Sequence, residues 1–294
     1  MPADTPKILF VINPSAGRTG NDKAILSIHS AAAEEGFDFK FLYTQGQGDE
    51  KRIAAELKDY RPERVIACGG DGTVQLVAGV LMKSEIPMGI LPLGSANGLA
   101  KALGVSLEIE SALDLAIHAG KSRPMDLLKI NDKHLCIHLS DIGTNALLVK
   151  HYEDAGDKGM IGYAKHLLKA IQDSELMRYT IVTPEGTFEK EGFMLAVANA
   201  NKYGTGVHIS QGSVSDGKFE VCNVQKIDME SAIKAGLTAL NIFVDKDMFR
   251  DVISCKRAEI TIDRKVHWQV DGEYLGEIDF LKIEILESAI RLLV

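Results

Sequence analysis

A single aspartate stands among three glycines in the stretch Arg64-Val65-Ile66-Ala67-Cys68-Gly69-Gly70-Asp71-Gly72-Thr73-Val74. The glycines open the backbone to dihedrals closed to other residues and leave no side chains in a ligand's way. A helix resuming at Thr73 and Val74 turns its first amides outward, where they favour an anion. The carboxylate of Asp71 then asks for a cation or a hydroxyl beside that anion. A phosphate-bearing nucleotide with its metal answers both demands. Taken alone, the segment is equally well a tight turn. Other stretches pose the same question. Pro92-Leu93-Gly94-Ser95-Ala96-Asn97-Gly98 offers a bare backbone at Gly94, a hydroxyl at Ser95 and a helix entry after Asn97. Asn13-Pro14-Ser15-Ala16-Gly17 and Thr44 put small polar groups where apolar runs end. Asp271-Gly272-Glu273 follows the run VHWQV, and its spacing alone reads as a hairpin turn.

The elements that must carry these residues follow from periodicity. Short apolar runs at 7–12, 37–43, 64–69 and 87–91 read as buried parallel strands. Helical patterns over 24–35, 50–57, 74–82, 99–103 and 106–119 alternate with them, Asp49 serving as a cap for the second. Such βα alternation builds a parallel sheet with helices on both faces and ligands at the carboxyl ends of its strands. The turns 13–17, 44–48, 69–73 and 94–98 all fall at that edge, and their convergence there points to a nucleotide cleft.

After about residue 124 the pattern changes. Strand-like runs at 125–130, 134–139, 179–183, 186–190, 193–198, 220–224, 259–262 and 266–270 mostly adjoin in pairs, as in an antiparallel sandwich. Helices are expected at 163–174 and 229–241, and 150–158 reads as a solvated loop. The expected division is an α/β nucleotide-binding domain over 1–124, a β-sandwich substrate domain over 125–281, and a last apolar run, 282–294, that closes the sandwich or returns to the first domain.

Composition narrows the partners. A net charge of -8 argues against a nucleic-acid footprint, which needs clustered Lys and Arg. The four cysteines are far apart in apolar runs, as reduced thiols of a cytoplasmic protein, and the histidines show no ligand spacing. The start, MPADTPKILF, lacks the regions of a signal peptide, and no run approaches the length needed to span a bilayer.

GGDGT, NPSAG, TQGQGD and PLGSANGLAKALG together resemble the motifs of the diacylglycerol kinase catalytic domain and its sphingosine and ceramide kinase relatives. NAD kinases share a GGDGT-type turn but lack the PLGSxN helix entry and this C-terminal ending. The resemblance covers nearly the whole chain and favours the return of 282–294 to the first domain. It implies a lipid kinase that binds ATP and Mg²⁺ in an interdomain cleft and meets a lipid substrate at the membrane surface, with a homodimer left open. Asn13, Gly17, Thr44, Gly69, Gly70, Asp71, Gly72, Thr73, Val74, Gly94, Ser95 and Asn97 would surround the nucleotide, with Asp71 orienting metal or phosphate. Glu273 would accept the proton of the attacking hydroxyl, with Asp271 as helper or metal neighbour. The segment 211–221 resembles one in which a structural magnesium is held by an acid and two carbonyls, here Asp216, Ser213 and Lys218.

Two departures stand out. Leu76 replaces the family's Glu three residues after Thr73, and Gly98 replaces an Asp, so two carboxylates are missing near the phosphates. They keep a second expectation alive, a nucleotide- or lipid-binding regulator that has lost turnover.

Overall fold

The computed structural model describes residues 5–16, 18–82, 84–155, 160–199, 202–203, 207–208, 214–225 and 251–294. The chain divides into one unit of Met1–Met125 with Ser288–Val294 and a second of Asp126–Glu287. Gly17, Ser213 and the helix expected at 229–241 lie outside the described residues.

In the first unit, β1 (Lys7–Ile12), β2 (Asp38–Tyr43), β3 (Arg64–Gly69) and β4 (Met88–Pro92) form a parallel sheet in the order β2-β1-β3-β4. The unbroken apolar runs of β1 and β3 are buried on both faces, as a parallel layer under helices requires. Helices α1 (Arg18–Glu35), α2 (Asp49–Asp59), α3 (Asp71–Leu81), α4 (Gly98–Leu103) and α5 (Ile109–His118) connect or cover the strands. The chain's last residues join this sheet, with Leu292 pairing in parallel with Met88.

The second unit is an antiparallel sandwich. It contains β5 (Ser122–Ile130), β6 (His134–Cys136), β7 (Leu139–Gly143), α6 (Thr144–Ala155), α7 (Met160–Gln172), β8 (Met177–Thr183), β9 (Gly186–Gly192) and β10 (Met194–Ala198). The short pair β11 (Lys202–Tyr203) and β12 (Val207–His208) follows, then β13 (Phe219–Val224), β14 (Asp251–Cys255), β15 (Arg257–Val270) and β16 (Glu273–Leu293). Alternation along β10 shows how the layers share it. Leu195 and Val197 enter the core around Trp268 and Phe219, while Met194, Ala196 and Ala198 pack under Leu147, Leu148 and Leu167 of the two helices.

Several elements differ from the sequence reading, each for a local reason. The run 134–139 is not one strand: the amides of Ile137, His138 and Leu139 turn to a carboxylate instead of a neighbouring strand. The runs 259–262 and 266–270 are one strand, β15, with a register shift between Thr261 and Val266. Residues 150–155 of the expected loop are the end of α6, where Lys150 reaches Asp154 one turn on at 2.9 Å. Asp49 does not cap α2 as its preceding residue but is the first helical residue, its side chain reaching back into the turn. The last strand changes unit at Ser288 rather than 282, because Lys282, Ile283 and Glu284 still pair with Glu259, Ala258 and Arg257.

Candidate functional site

At the carboxyl ends of β1, β2 and β3 the first unit opens a cavity of about 520 Å³. Asn13, Thr44, Gly70, Gly72 and Thr73 line it, with Ser15, Gln45, Gly46, Asp49 and Leu76. The amide of Asn13 donates to the Cys68 carbonyl at 3.0 Å, tying the first turn to the end of β3. Its Oδ1 accepts from the Ser15 amide at 2.9 Å, and its carbonyl accepts from Asn21 Nδ2 at 3.0 Å. Thr44 is set by its amide, which donates to the Ile12 carbonyl at 2.8 Å. Gly70 precedes α3, and its carbonyl accepts from the amides of Thr73 and Val74 at 3.0 and 3.1 Å. Helix geometry leaves the earlier amides of this end without an intrahelical acceptor, an arrangement that suits an anion. Among the described residues, the lining holds no lysine or arginine, so the donors this wall offers a phosphate are backbone N–H groups, hydroxyls and the side-chain amides of Asn13 and Gln45.

The remaining glycine-turn residues form a brace beside the cavity. Asp71 Oδ2 accepts from the Gly98 amide at 2.9 Å and Oδ1 from the Leu99 amide at 3.1 Å, capping α4 from another loop. A carboxylate has about four acceptor positions, so these bonds leave capacity for a water or metal. Gly94 meets Gly70 backbone to backbone: a Cβ there would overlap the Gly70 Cα and lie 2.9 Å from Asn97 Oδ1. Asn97, left-handed with φ 49°, closes its own loop, Oδ1 accepting from the Gly94 amide at 2.9 Å and Nδ2 donating to the Gly94 carbonyl at 2.7 Å. Gly69 and Val74 are buried, and a Cβ on Gly69 would sit 2.7 Å from Thr73 Cβ, so packing demands that glycine. Ser95 is exposed and does not line the cavity.

Asp49 was assigned no ligand role from sequence, yet it builds the cavity's second wall. It is 2 % exposed, and its Oδ2 accepts from the Gln45 and Gly46 amides, each at 2.8 Å. Oδ1 pairs with Arg52 at 2.6 Å. Burial raises its pKa, but the Gly46 and Gln45 amides and the Arg52 guanidinium outweigh that and leave it below the usual carboxylate value. The signal available in the sequence was an acid closing the glycine turn Gln45-Gly46-Gln47-Gly48.

In the second unit, Asp271 and Gly272 form the tight turn between β15 and β16, with φ 49° and 88°, the left-handed pair that a two-residue hairpin demands. The Asp271 carboxylate accepts from the amides of Ile137, His138 and Leu139 at 2.8, 2.9 and 3.0 Å, and its own amide donates to the Leu139 carbonyl at 2.7 Å. It is the clasp of the β6–β7 connection. Glu273, next along, is exposed and pairs across the hairpin with Val270. Asp216 is exposed, with Oδ1 accepting from the Lys218 amide at 3.1 Å. Among the described residues no group of three His, Cys, Asp or Glu side chains gathers as a metal site. Asp216 therefore fits a cation only in the carboxylate, carbonyl and water manner that magnesium accepts.

Behind the hairpin lies a polar chain that the sequence reading passed over. Asp141, 1 % exposed, accepts at Oδ2 from Asn145 Nδ2 at 2.7 Å and from Gln269 Nε2. Gln269, also 1 % exposed, accepts at Oε1 from the Gly272 amide at 2.7 Å. Burial pushes the Asp141 carboxyl up to about 7, against the opposing pull of those two amides and the Ala146 amide. A lone acid between the apolar residues Leu139 and Ile142 was the sequence signal for it.

Residues 7–130 match the family described as "Diacylglycerol kinase catalytic domain", and residues 141–294 match "YegS C-terminal NAD kinase beta sandwich-like domain". A protein of Klebsiella pneumoniae named "Probable lipid kinase YegS-like" is 26% identical over 305 residues, covering 97% of this chain and 95% of its own. A Pectobacterium atrosepticum protein of the same name is 28% identical, with 97% and 95% covered. A crystal structure of a diacylglycerol kinase from Bacillus anthracis superposes with a TM-score of 0.72 at 22% identity, over 99% of this chain and 98% of that one. That likeness bears on the fold. No helix among the described residues is long and apolar enough to cross a membrane.

Proposed function

This chain belongs to the family that joins a diacylglycerol kinase catalytic domain to a YegS-type sandwich domain, and from that premise we propose that it is an ATP-dependent lipid kinase. It transfers the γ-phosphoryl group to a hydroxyl of diacylglycerol, a sphingoid base or a related lipid alcohol at a membrane surface. One observation carries the reading: the turns after β1, β2 and β3 converge on a cavity walled by glycine backbone and small hydroxyl or amide groups. Such a wall suits a triphosphate, held by oriented N–H dipoles that need no reorganisation during transfer.

The chain's own residues then divide the work. Gly70, Gly72 and Thr73 hold phosphate oxygens, and Asn13 and Thr44 bound the nucleotide from the neighbouring strand ends. Asp71 keeps α4 seated and has acceptor capacity left for a metal-bound water. Magnesium bound with the triphosphate supplies neutralisation of charge on the transferring group. Glu273 accepts the proton of the attacking lipid hydroxyl. An exposed, ionised carboxylate suffices there, because phosphoryl transfer is chiefly positioning with a base close to the nucleophile.

The test is ATP turnover against a panel of lipids in mixed micelles, with magnesium and with chelator. Glu273→Ala should lower kcat by about 10²–10⁴-fold, and unaltered turnover would remove Glu273 from the mechanism. One observation favours a second reading, a binding protein without turnover: Leu76, at the position where the resembled motif has a glutamate, lines the cavity itself. Saturable ATP binding with no product from any lipid, with or without magnesium, would select that reading.

A further inference from the structure

Glu273 is exposed at the tip of a hairpin, where a carboxylate on a long side chain has many orientations. The backbone on either side of it is nonetheless held by side chains from outside the turn. Before it, the Gly272 amide donates to Gln269 Oε1 at 2.7 Å. After it, the Tyr274 amide donates to Glu153 Oε1 of α6 at 3.2 Å. The first of these bonds is the more tightly determined. Gln269 lies opposite Asp141 across the β7–β15 pair, both fully buried, and its Nε2 is committed to Asp141 Oδ2. Above the pH at which this carboxyl releases its proton it only accepts, and both amides that reach Oδ2, Asn145 and Gln269, present nitrogen to it. With its nitrogen so used, Gln269 has only its oxygen for the Gly272 amide. The acid decides which way the glutamine amide faces, and the glutamine decides where the turn sits.

A buried carboxylate with no cation among its hydrogen-bond partners is costly to keep, and a hydrophobic residue would pack the position at less cost. Another polar link secures the same strand end: Trp268 Nε1 donates to Ser140 Oγ at 2.9 Å, and that hydroxyl donates to the Gln269 carbonyl at 2.8 Å. A register shift between Trp268 and Gln269 marks the point where the strand turns toward its tip. Resting on the reading of Glu273 as the base, we infer that Asp141 and Gln269 are positioning residues for phosphoryl transfer, fixing the Asp271-Gly272 turn so that Glu273 meets the lipid hydroxyl in one orientation.

The experiment uses the full chain, ATP, and diacylglycerol or sphingosine in mixed micelles, with amide hydrogen exchange at Gly272 as a second readout. Asp141→Leu and Gln269→Leu should each lower kcat by about 10–100-fold, the size expected of a misplaced catalytic group. The KM for ATP should stay within about twofold of wild type. Exchange at Gly272 should quicken in both variants, Asp141→Leu acting on an amide it does not touch. Asp141→Asn keeps an acceptor oxygen and should return both readouts most of the way. If Asp141→Leu fails to fold, Gln269→Leu carries the test alone. Wild-type kcat with unchanged Gly272 exchange in a folded Gln269→Leu protein overturns the inference. Full activity of Glu273→Ala would instead sink the reading of the base, and the Gly272 exchange would still report whether the relay exists.

Discussion

Each unit presents an aspartate in a glycine turn, and in each the carboxylate grips the backbone of a different segment. Asp71 accepts from the amides of Gly98 and Leu99, and Asp271 from those of Ile137, His138 and Leu139. The difference lies in what is gripped. Asp71 caps the start of α4, a helix that also has its own loop closed by Asn97. Asp271 supplies the acceptors for three successive amides at the β6–β7 junction, those of Ile137 and His138 between the strands and that of Leu139 at the start of β7. One acid supplements an existing structure and the other substitutes for a missing one. Residues that look like chemistry in a motif can therefore be the framework that sets the distances for chemistry done by a neighbour.

The comparison can be broken by mutation. Asp271→Ala strands three amides and should destabilise the protein by on the order of 3 kcal/mol or more in urea unfolding. A loss under about 1 kcal/mol would show that water replaces the clasp. Asp71→Ala removes a cap and should cost about 1 kcal/mol. Its effect on ATP turnover should exceed what that stability loss explains, and an equal effect on both would reduce Asp71 to a cap alone.

Two buried acids, Asp49 and Asp141, sharpen the same contrast through pH. Asp49 has backbone amides and Arg52 to hold its charge, whereas Asp141 has only neutral donors, two side-chain amides and the Ala146 amide. Asp49 is accordingly depressed, so its contribution is present above its unfolded value of 3.8 and is lost as pH falls through the lower folded value. Asp141 is raised from 3.8 to about 7, so the folded state holds a proton that the unfolded state has released. Its contribution declines as pH rises through that window and is level above it. Unfolding free energies measured across this range should fall less steeply with pH in Asp141→Asn than in wild type. Parallel curves would mean that the Asp141 carboxyl is ionised in the folded protein throughout.

Reading the chain in one dimension recovered those features that rest on local pattern. The doubly buried runs at 7–12 and 64–69 announced a parallel layer, and the turns at their ends line one cavity at its edge. Failures came where a distant residue overrode a local preference. The run 134–139 has strand composition throughout, and only Asp271, far along the chain, splits it. Thr144–Ala155 gave no clear helical stripe, because α6 is stabilised by packing Leu147 and Leu148 over β10.

Periodicity and glycine placement, being properties of neighbours in the chain, determined the two kinds of layer and the family to which the motifs belong. Tertiary structure alone decided what three of the acids face, Asp71 a helix start, Asp271 a strand junction and Asp141 a glutamine, whereas Asp49 meets the guanidinium of Arg52 three residues on. A carboxylate's role depends on the donors within about 3 Å of it, and for three of these four acids the decisive donors come from other elements of the fold.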